Sequence, residues 1–174
     1  PRMLSALDYR VIDADPDRAY AAVAVAGERA DGVLQVQIIK TGHGVAWAGE
    51  EVKRLVKMWP TCAVVIDPRS AAASLITGLE AAQIEVTTTA PQDMAKACGS
   101  FYDAATETRL RHLDQPELNT AIAGASTRPL GDAWAWNRRK PTTDITPLVA
   151  ATLALWGWET RDPEPPKYTS SFSV

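Results

Sequence analysis

The spacing of apolar residues changes character near residue 45, and this change limits the folds that the chain can adopt. Before that point, three short apolar runs at 9–14, 19–26 and 33–39 are separated by turn-forming residues. Runs of strand length that are joined by such short connections pair with their neighbours. The first part of the sequence therefore predicts a three-stranded antiparallel meander.

Beyond residue 45 the apolar spacing alternates between that of a helix and that of a strand. Residues 47–59 have helical spacing up to Pro60, which ends a helix. The unbroken apolar run at 61–66 is typical of a buried parallel strand, and a second strand is predicted at 84–88. Helices are predicted between and after them at 70–82, 91–108, 117–125 and 147–158, with a further strand at 132–136. The predicted fold is α/β, a mixed sheet of three antiparallel and then parallel strands flanked by helices.

Composition agrees with one globular domain. The chain has 174 residues, of which 46% are hydrophobic and 22% charged, enough to build a substantial core. We expect the domain to cover 1–161 and a polar, proline-rich tail to cover 162–174. The sequence begins at Pro1 rather than at a methionine, so we expect it to be a piece of a longer protein. No apolar stretch approaches the length of a membrane span.

The charge balance excludes a surface that is basic throughout. The formal net charge is -3, so any grip on nucleic acid must come from a local basic strip. Four residues around the strand at 132–136 could form one and contact phosphates; they are Arg128, Arg138, Arg139 and Lys140. Arg109 and Arg111 could lie nearby. The alternative for each of them is an ordinary solvated loop.

Carboxylates follow two of the predicted strands at the point where each strand ends. Asp13 and Asp67 both come directly after a buried isoleucine. The first and fourth strands are expected to be neighbours, so these two side chains should enter one crevice at the carboxyl edge of the sheet. Asp144, just before the last helix, could supply a third carboxylate. Its alternative role is a helix cap, but Thr146 followed by Pro147 is a better start signal for that helix.

Three converging carboxylates repel one another unless cations neutralise them. Oxygen ligands favour hard divalent ions such as Mg²⁺ or Mn²⁺. Two such ions about 3.5–4 Å apart can activate water and stabilise the leaving oxygen of a phosphodiester. The residues thus indicate metal-dependent hydrolysis at Asp13, Asp67 and Asp144.

Other classes of site find little support. The sequence has no phosphate-binding P-loop, and Ser70 lacks the glycine context of a hydrolase nucleophile. His43 and His112 are far apart, and Cys62 and Cys98 are unpaired in sequence, so a zinc site is not expected. A disulfide framework is not expected either.

Several stretches, in order, resemble the C-terminal nuclease half of tailed-phage large terminase subunits, which are ribonuclease H-like proteins. They are residues 11–27 (VIDADPDRAYAAVAVAG), 63–68 (AVVIDP), 101–104 (FYDA), 110–112 (LRH), 117–121 (ELNTA), 132–136 (DAWAW) and 144–151 (DITPLVAA). The similarity spans 9–158. The resemblance implies a ribonuclease H-like fold, with Asp13, Asp67 and Asp144 as the catalytic and metal-binding triad. Asp13 would then be shared by two ions, Mg²⁺ or Mn²⁺.

The resemblance also implies a place for the chain in viral genome packaging. Its relatives cut concatemeric double-stranded DNA in the host cytoplasm, and an ATPase domain normally precedes the nuclease. The implied partners are double-stranded DNA, that ATPase domain, the portal and the small terminase subunit. One departure is that many relatives carry two adjacent acidic residues at the third site, whereas Thr143 precedes Asp144 here.

Because of that departure, other aspartates could act as substitutes or auxiliaries at the third site. The candidates are Asp15, Asp17, Asp103 and Asp132.

Two alternative functions remain open at this point. The chain could be another ribonuclease H-like enzyme, such as a Holliday-junction resolvase, an integrase-like transferase or an RNA–DNA hybrid nuclease. It could also be a non-catalytic module that docks onto a packaging or replication partner, which would bind no metal ion.

Overall fold

The structure is a computed structural model that describes residues 9–14, 16–59, 63–139 and 143–161. A short 3-10 turn at Ala71–Leu75 precedes the second helix. In chain order the helices and strands are β1 Tyr9–Ala14, β2 Tyr20–Glu28, β3 Leu34–His43, α1 Ala46–Met58, β4 Val64–Ile66, α2 Ile76–Ala81, β5 Val86–Thr88, α3 Asp93–Thr106, β6 Leu110–Arg111, α4 Pro116–Ala123, β7 Thr127–Leu130, β8 Ala133–Trp136 and α5 Thr146–Glu159.

Six of these strands form one mixed sheet in the order β5-β4-β1-β2-β3-β6. The pairs β1–β2 and β2–β3 are antiparallel, as the short connections predicted. The pairs β1–β4, β4–β5 and β3–β6 are parallel. The predicted mixed sheet is confirmed, and β1 and β4 are neighbours, as the prediction for the two acidic strand ends required.

Alternate residues of the central strands enter two separate cores. On β1, Val11 belongs to the core formed with α3, α4 and α5, whereas Ile12 belongs to the core formed with α1 and α2. On β4, Val65 and Ile66 divide in the same way. This alternation is the strand period of two, and it places every second side chain on the same face. The helix α5 is buried along nearly its whole length against the first of these faces.

The strands β7 and β8 form a separate antiparallel hairpin. Two tryptophans attach it to the helices. Trp136 donates from its indole Nε1 to Thr152 Oγ1 on α5, at 3.0 Å. Trp134 packs edge-on against Tyr102 of α3, with ring centroids 6.0 Å apart. The hairpin is therefore fixed to the domain, and the residues that follow it in the sequence are brought over the carboxyl edge of the main sheet.

Several boundaries differ from the sequence-based predictions. The strand at 132–136 is confirmed as β8, but its partner β7 and the two-residue edge strand β6 were not predicted. The helix predicted at 70–82 starts as a 3-10 turn, which Ser70 caps by accepting from Ala72 N. Cys62 and the tail at 162–174 lie outside the described residues. Among those described, no helix is both long and apolar enough to cross a bilayer.

Candidate active site

Asp13 and Asp67 occupy equivalent positions on neighbouring parallel strands. Val11 of β1 is opposite Val65 of β4, so the residue two places further along each strand is an aspartate. Both side chains lie on the face that carries Val11 and Val65, because side chains alternate along a strand. Neighbouring strands are about 4.8 Å apart. The sequence-based prediction that these two strand ends meet in one place thus agrees with the register.

Asp13 is fully buried and only partly paired. Its Oδ2 accepts a hydrogen bond from Arg138 at 3.0 Å, and the same guanidinium donates to the backbone oxygen of Ala14. Its Oδ1 has no hydrogen-bond partner in the described structure. Burial raises the pKa of Asp13 from 3.8 to about 6; the Arg138 charge opposes this rise, and the neighbouring Asp67 adds to it. A buried carboxylate with one unpaired oxygen is costly to maintain unless a cation binds there.

Asp67 is held in a tight turn after β4. Its Oδ1 accepts from Arg69 Nε at 2.9 Å and from the Arg69 backbone nitrogen at 3.0 Å. Its Oδ2 accepts from Arg69 Nη2 at 3.3 Å. Ser70 closes the turn, since its backbone N–H and its hydroxyl both donate to the Asp67 carbonyl at 2.9 Å. Asp67 is buried, whereas the Arg69 side chain is 43% exposed. Asp67 therefore has an arginine partner that can move into solvent.

A third oxygen-bearing side chain continues the same row. Ile66 of β4 is opposite Thr88 of β5, so Thr89 takes the position next to Asp67. Thr89 is 4% exposed, and its hydroxyl is the second buried side-chain oxygen without a partner in the described residues. Sequence reasoning did not single it out, although a threonine that directly follows a buried strand was a visible signal. Both unpaired oxygens thus lie at one edge of the sheet.

Asp144 does not join this group. It is exposed, and its Oδ1 accepts from the backbone N–H of Thr146 at 2.9 Å. Thr146 itself is buried and already belongs to α5. The expectation that Thr146 caps this helix and leaves Asp144 free was wrong, because Asp144 satisfies the first N–H of the helix.

The other candidate aspartates do not assemble into a larger cluster. Asp17, Asp103 and Asp132 are exposed, and Asp15 lies outside the described residues. Within the described ranges, no group of three or more acidic, histidine or cysteine side chains is placed so that it could hold a metal ion.

A basic cleft of about 620 Å³ lies beside the two buried aspartates. Asp67 is part of its wall, together with Trp136 of the hairpin and Val149 of α5. Its arginines come from four separate segments of the chain; they are Arg18, Arg69, Arg128, Arg138 and Arg139. The local charge of the cleft is therefore positive although the whole chain is acidic. Such a concave basic surface favours an anionic ligand.

The predicted basic strip is found only in part. Arg128, Arg138 and Arg139 line the cleft as the strip required, while Lys140 lies outside the described residues. Sequence reasoning missed Arg18 and Arg69, which stand in aspartate-proline turns that looked like plain loop signals. Arg109 and Arg111 lie at β6, where Arg109 pairs with Glu107 at 2.7 Å. The strand β6 is the opposite edge of the sheet from β5, so these two arginines are far from the carboxylates.

The donor set at this edge fits a hard divalent cation. Two carboxylates in equivalent register offer oxygen ligands of the kind that Mg²⁺ and Mn²⁺ prefer. The unpaired Oδ1 of Asp13 is a free lone-pair donor that lies fully buried beside a second negative charge. Arg138 and Arg69 supply the positive charge that this pair requires. The fit concerns these two carboxylates alone.

The chain is similar in fold to solved structures of phage large terminases and of a junction resolvase. No protein-family profile matches the chain, and no curated protein matches it in sequence. The large terminase of bacteriophage HK97 superposes with a TM-score of 0.71 at 14% identity, over 90% of this chain and 40% of that one. The magnesium-bound large terminase nuclease of thermophilic phage G20c gives 0.63 at 12% identity, over 87% of this chain and 82% of that one. The protein has the ribonuclease H-like fold of the phage terminase nucleases.

A resolvase shares this ribonuclease H-like fold at a lower similarity. The yeast mitochondrial Holliday junction resolvase Ydc2 superposes with a TM-score of 0.51 at 7% identity, over 91% of this chain and 81% of that one. The G20c nuclease has also been solved with cobalt and with zinc. The fold expected from the sequence resemblance is confirmed, and the neighbours support a nuclease-type hydrolase fold. The chain spans less than half of the HK97 large terminase.

Proposed function

We propose that the chain is a metal-dependent endonuclease domain that hydrolyses phosphodiester bonds of double-stranded DNA. The main support is that Asp13 and Asp67 hold equivalent positions on neighbouring strands, beside a cleft lined by arginines. One oxygen of Asp13 is buried and has no partner among the described residues. The carboxylates would hold cations, and the arginines would hold the phosphates on either side of the bond to be cut. The carboxylates and the arginine-lined cleft lie at the same edge of the sheet, so a metal ion and the phosphate to be cut could meet there.

Two divalent ions, Mg²⁺ or Mn²⁺, would be held at this edge, with Asp13 shared by both and Asp67 and Asp144 each completing one site. Such ions supply the activation of a water molecule and the stabilisation of the leaving oxygen. Asp144 lies apart from the two buried aspartates, so for it to take part its segment must move toward them and its Oδ1 must share or give up the hydrogen bond from Thr146. Because the pKa of Asp13 is about 6, its carboxylate is ionised and available to a cation at pH 8.

The arginines bind and orient the DNA in this proposal. Arg128 and Arg139 lie on the cleft wall without an acidic partner in the described salt bridges, so their guanidinium groups can contact phosphate oxygens. Arg69 would turn away from Asp67 toward solvent when an ion binds, because both Asp67 oxygens accept from it in the described structure and its side chain is 43% exposed. Such contacts place the backbone but read no base sequence, so we expect little sequence preference in cleavage.

The similarity to terminase structures supports a role for the domain within a larger packaging enzyme. The HK97 and G20c neighbours are large terminases. We therefore propose that this chain is the nuclease part of a large terminase subunit that cuts concatemeric viral DNA in the host cytoplasm. The partners would be an ATPase domain in the same polypeptide, the portal and the small terminase subunit.

Cleavage of supercoiled plasmid tests the enzymatic proposal. The chain is incubated with plasmid in Mn²⁺, Mg²⁺ or EDTA, alongside Asp67→Asn and the matched surface variant Asp103→Asn. We expect nicked and then linear plasmid with metal, full activity in Asp103→Asn and at least a hundredfold loss in Asp67→Asn, about the size of a general acid–base or charge-stabilising effect. Full activity of Asp67→Asn would show that the site lies elsewhere.

A junction resolvase is the second candidate, favoured by the similarity to Ydc2. A panel of linear duplex, four-way junction and RNA–DNA hybrid separates the possibilities. The terminase proposal predicts comparable cutting of duplex arms in the linear and branched substrates, whereas a resolvase cuts only the junction. If no substrate is cut in any metal and calorimetry shows no metal binding, the chain is a docking module.

A further inference from the structure

The guanidinium of Arg138 lies against the buried carboxylate of Asp13, which is a candidate metal ligand. It donates to Asp13 Oδ2 at 3.0 Å and to the carbonyl of Ala14. Asp13 is fully buried and the Arg138 side chain is 18% exposed, so the pair is shielded from solvent. An ion pair in such surroundings is only weakly screened by salt. Arg138 therefore neutralises Asp13 whenever no metal ion is bound.

Only the side chain of Arg138 has to move for it to leave Asp13. The backbone on either side is held, since the Asn137 N–H donates to the Ser126 carbonyl at 2.7 Å and the Asn137 side chain accepts from the Arg139 N–H, but an arginine side chain can change rotamer without moving its backbone. Its side chain lines the cleft proposed to hold DNA. A phosphate in the cleft offers a bidentate partner for the same guanidinium. Arg138 can thus pair with Asp13 or with a DNA phosphate, but the same N–H groups cannot donate fully to both at once.

We propose that Arg138 and a divalent metal ion compete for Asp13, so that the arginine blocks the metal site until DNA or the metal displaces it. The inference rests on the proposed function, because it takes Asp13 to be a metal ligand. Removing the competitor lowers the charge repulsion against the incoming ion and frees Asp13 Oδ2. By linkage, a DNA phosphate that draws Arg138 away strengthens metal binding, and the bound metal strengthens the contact with DNA. The site would then load its ions chiefly when substrate is present.

Calorimetric titration of Mn²⁺ into the metal-free chain tests this competition without any cleavage. The variants are Arg138→Gln, Arg138→Lys and the control Arg109→Gln, whose side chain is 51% exposed at the opposite edge of the sheet. A charge-assisted hydrogen bond is strong enough to change an equilibrium about tenfold. We expect Arg138→Gln to bind Mn²⁺ about tenfold more tightly than the native chain and Arg109→Gln to bind it as tightly as the native chain. Arg138→Lys should fall between them, and it decides the question if the glutamine variant does not fold.

Asp13→Asn distinguishes a failure of the competition from a failure of the metal site itself. If Asp13→Asn loses Mn²⁺ binding while Arg138→Gln binds no more tightly than the native chain, the competition is wrong and the metal site stands. If neither the native chain nor Arg138→Gln binds Mn²⁺, the proposed metal site fails and the competition fails with it. Tighter binding confined to the Arg138 variants supports the proposal.

Discussion

Replacement of Asp13 by asparagine should stabilise the metal-free protein although it destroys the proposed site. The carboxylate is fully buried and shares its surroundings with Asp67, and its partner Arg138 offsets only part of that cost. Asparagine has nearly the same shape but carries no charge, so the substitution removes the cost of burying a negative group. Residues that are kept for function are often unfavourable for stability in this way.

The size of the effect follows from the pKa of Asp13. The difference between about 6 in the folded chain and the ordinary 3.8 corresponds to roughly 3 kcal/mol. Because the folded protein holds the proton more tightly than the unfolded chain, the free energy of unfolding falls as pH rises from about 4 to about 6, and the loss is complete above that range. Arg138 loses its charged partner in the variant, so we expect a net gain of about 1 to 3 kcal/mol at pH 8.

Urea denaturation in EDTA measures this difference. The native chain is compared with Asp13→Asn and with Asp103→Asn, which changes an exposed carboxylate, at pH 5 and pH 8. The advantage of Asp13→Asn should be larger at pH 8 than at pH 5, and Asp103→Asn should show no such trend. Saturating Mn²⁺ should stabilise only proteins that keep Asp13, by about 2.7 kcal/mol at a hundred times the dissociation constant. The difference in the free energy of unfolding between the native chain and Asp13→Asn should then disappear.

The prediction is wrong if Asp13→Asn is less stable than the native chain by the same amount at pH 5 and at pH 8. That result would mean that Asp13 is a well-satisfied structural carboxylate, and its unpaired oxygen would need another explanation. Stabilisation of Asp13→Asn by Mn²⁺ as large as that of the native chain would place the metal ion elsewhere.

Two further predictions concern the neighbours of the site. In EDTA, Arg138→Gln should hardly change the DNA affinity of the native chain, because Asp13 holds the arginine there. In the Asp13→Asn background the arginine is free, so the same substitution should lower DNA affinity severalfold. Equal losses of affinity in both backgrounds, measured by fluorescence anisotropy, would contradict this. Gly124→Ala should weaken Mn²⁺ binding in calorimetry if Asp144 is the third ligand, because an added Cβ would lie 2.6 Å from Thr143 Cβ and displace the segment before Asp144. The control Gly99→Ala meets no atom within 4 Å and should leave Mn²⁺ binding unchanged.

The parts of the fold that could be predicted from the sequence are those with long, regular patterns. The meander β1–β3 and the buried run of β4 follow from strand length and short turns, and they brought Asp13 and Asp67 to one edge. The strand β6 has only two residues, and β7 contains Pro129, so neither has a readable period. Their pairing depends on the tertiary structure.

The candidate site was predicted only where its residues follow strand ends. Arg138 lies 125 residues from Asp13, and no local pattern connects two such distant positions. Arg69 stands in a proline turn, where charged residues usually face solvent. Asp144 shows the opposite difficulty, since a residue just before a helix can cap that helix or bind a ligand, and spacing alone does not decide between the two roles.

The late position of α5 has a consequence for synthesis. This helix fills the centre of one core and is buried along nearly its whole length, yet it follows every strand of the sheet in the sequence. A ribosome that has released β1 to β5 has made both strand-end aspartates but not α3, α4 or α5, the helices that pack on their face of the sheet. Because contacts between such distant segments form late in folding, the cleft cannot assemble before α5 has emerged. The complete cleft, whose wall includes Val149 of α5, therefore forms only after the last helix has left the ribosome.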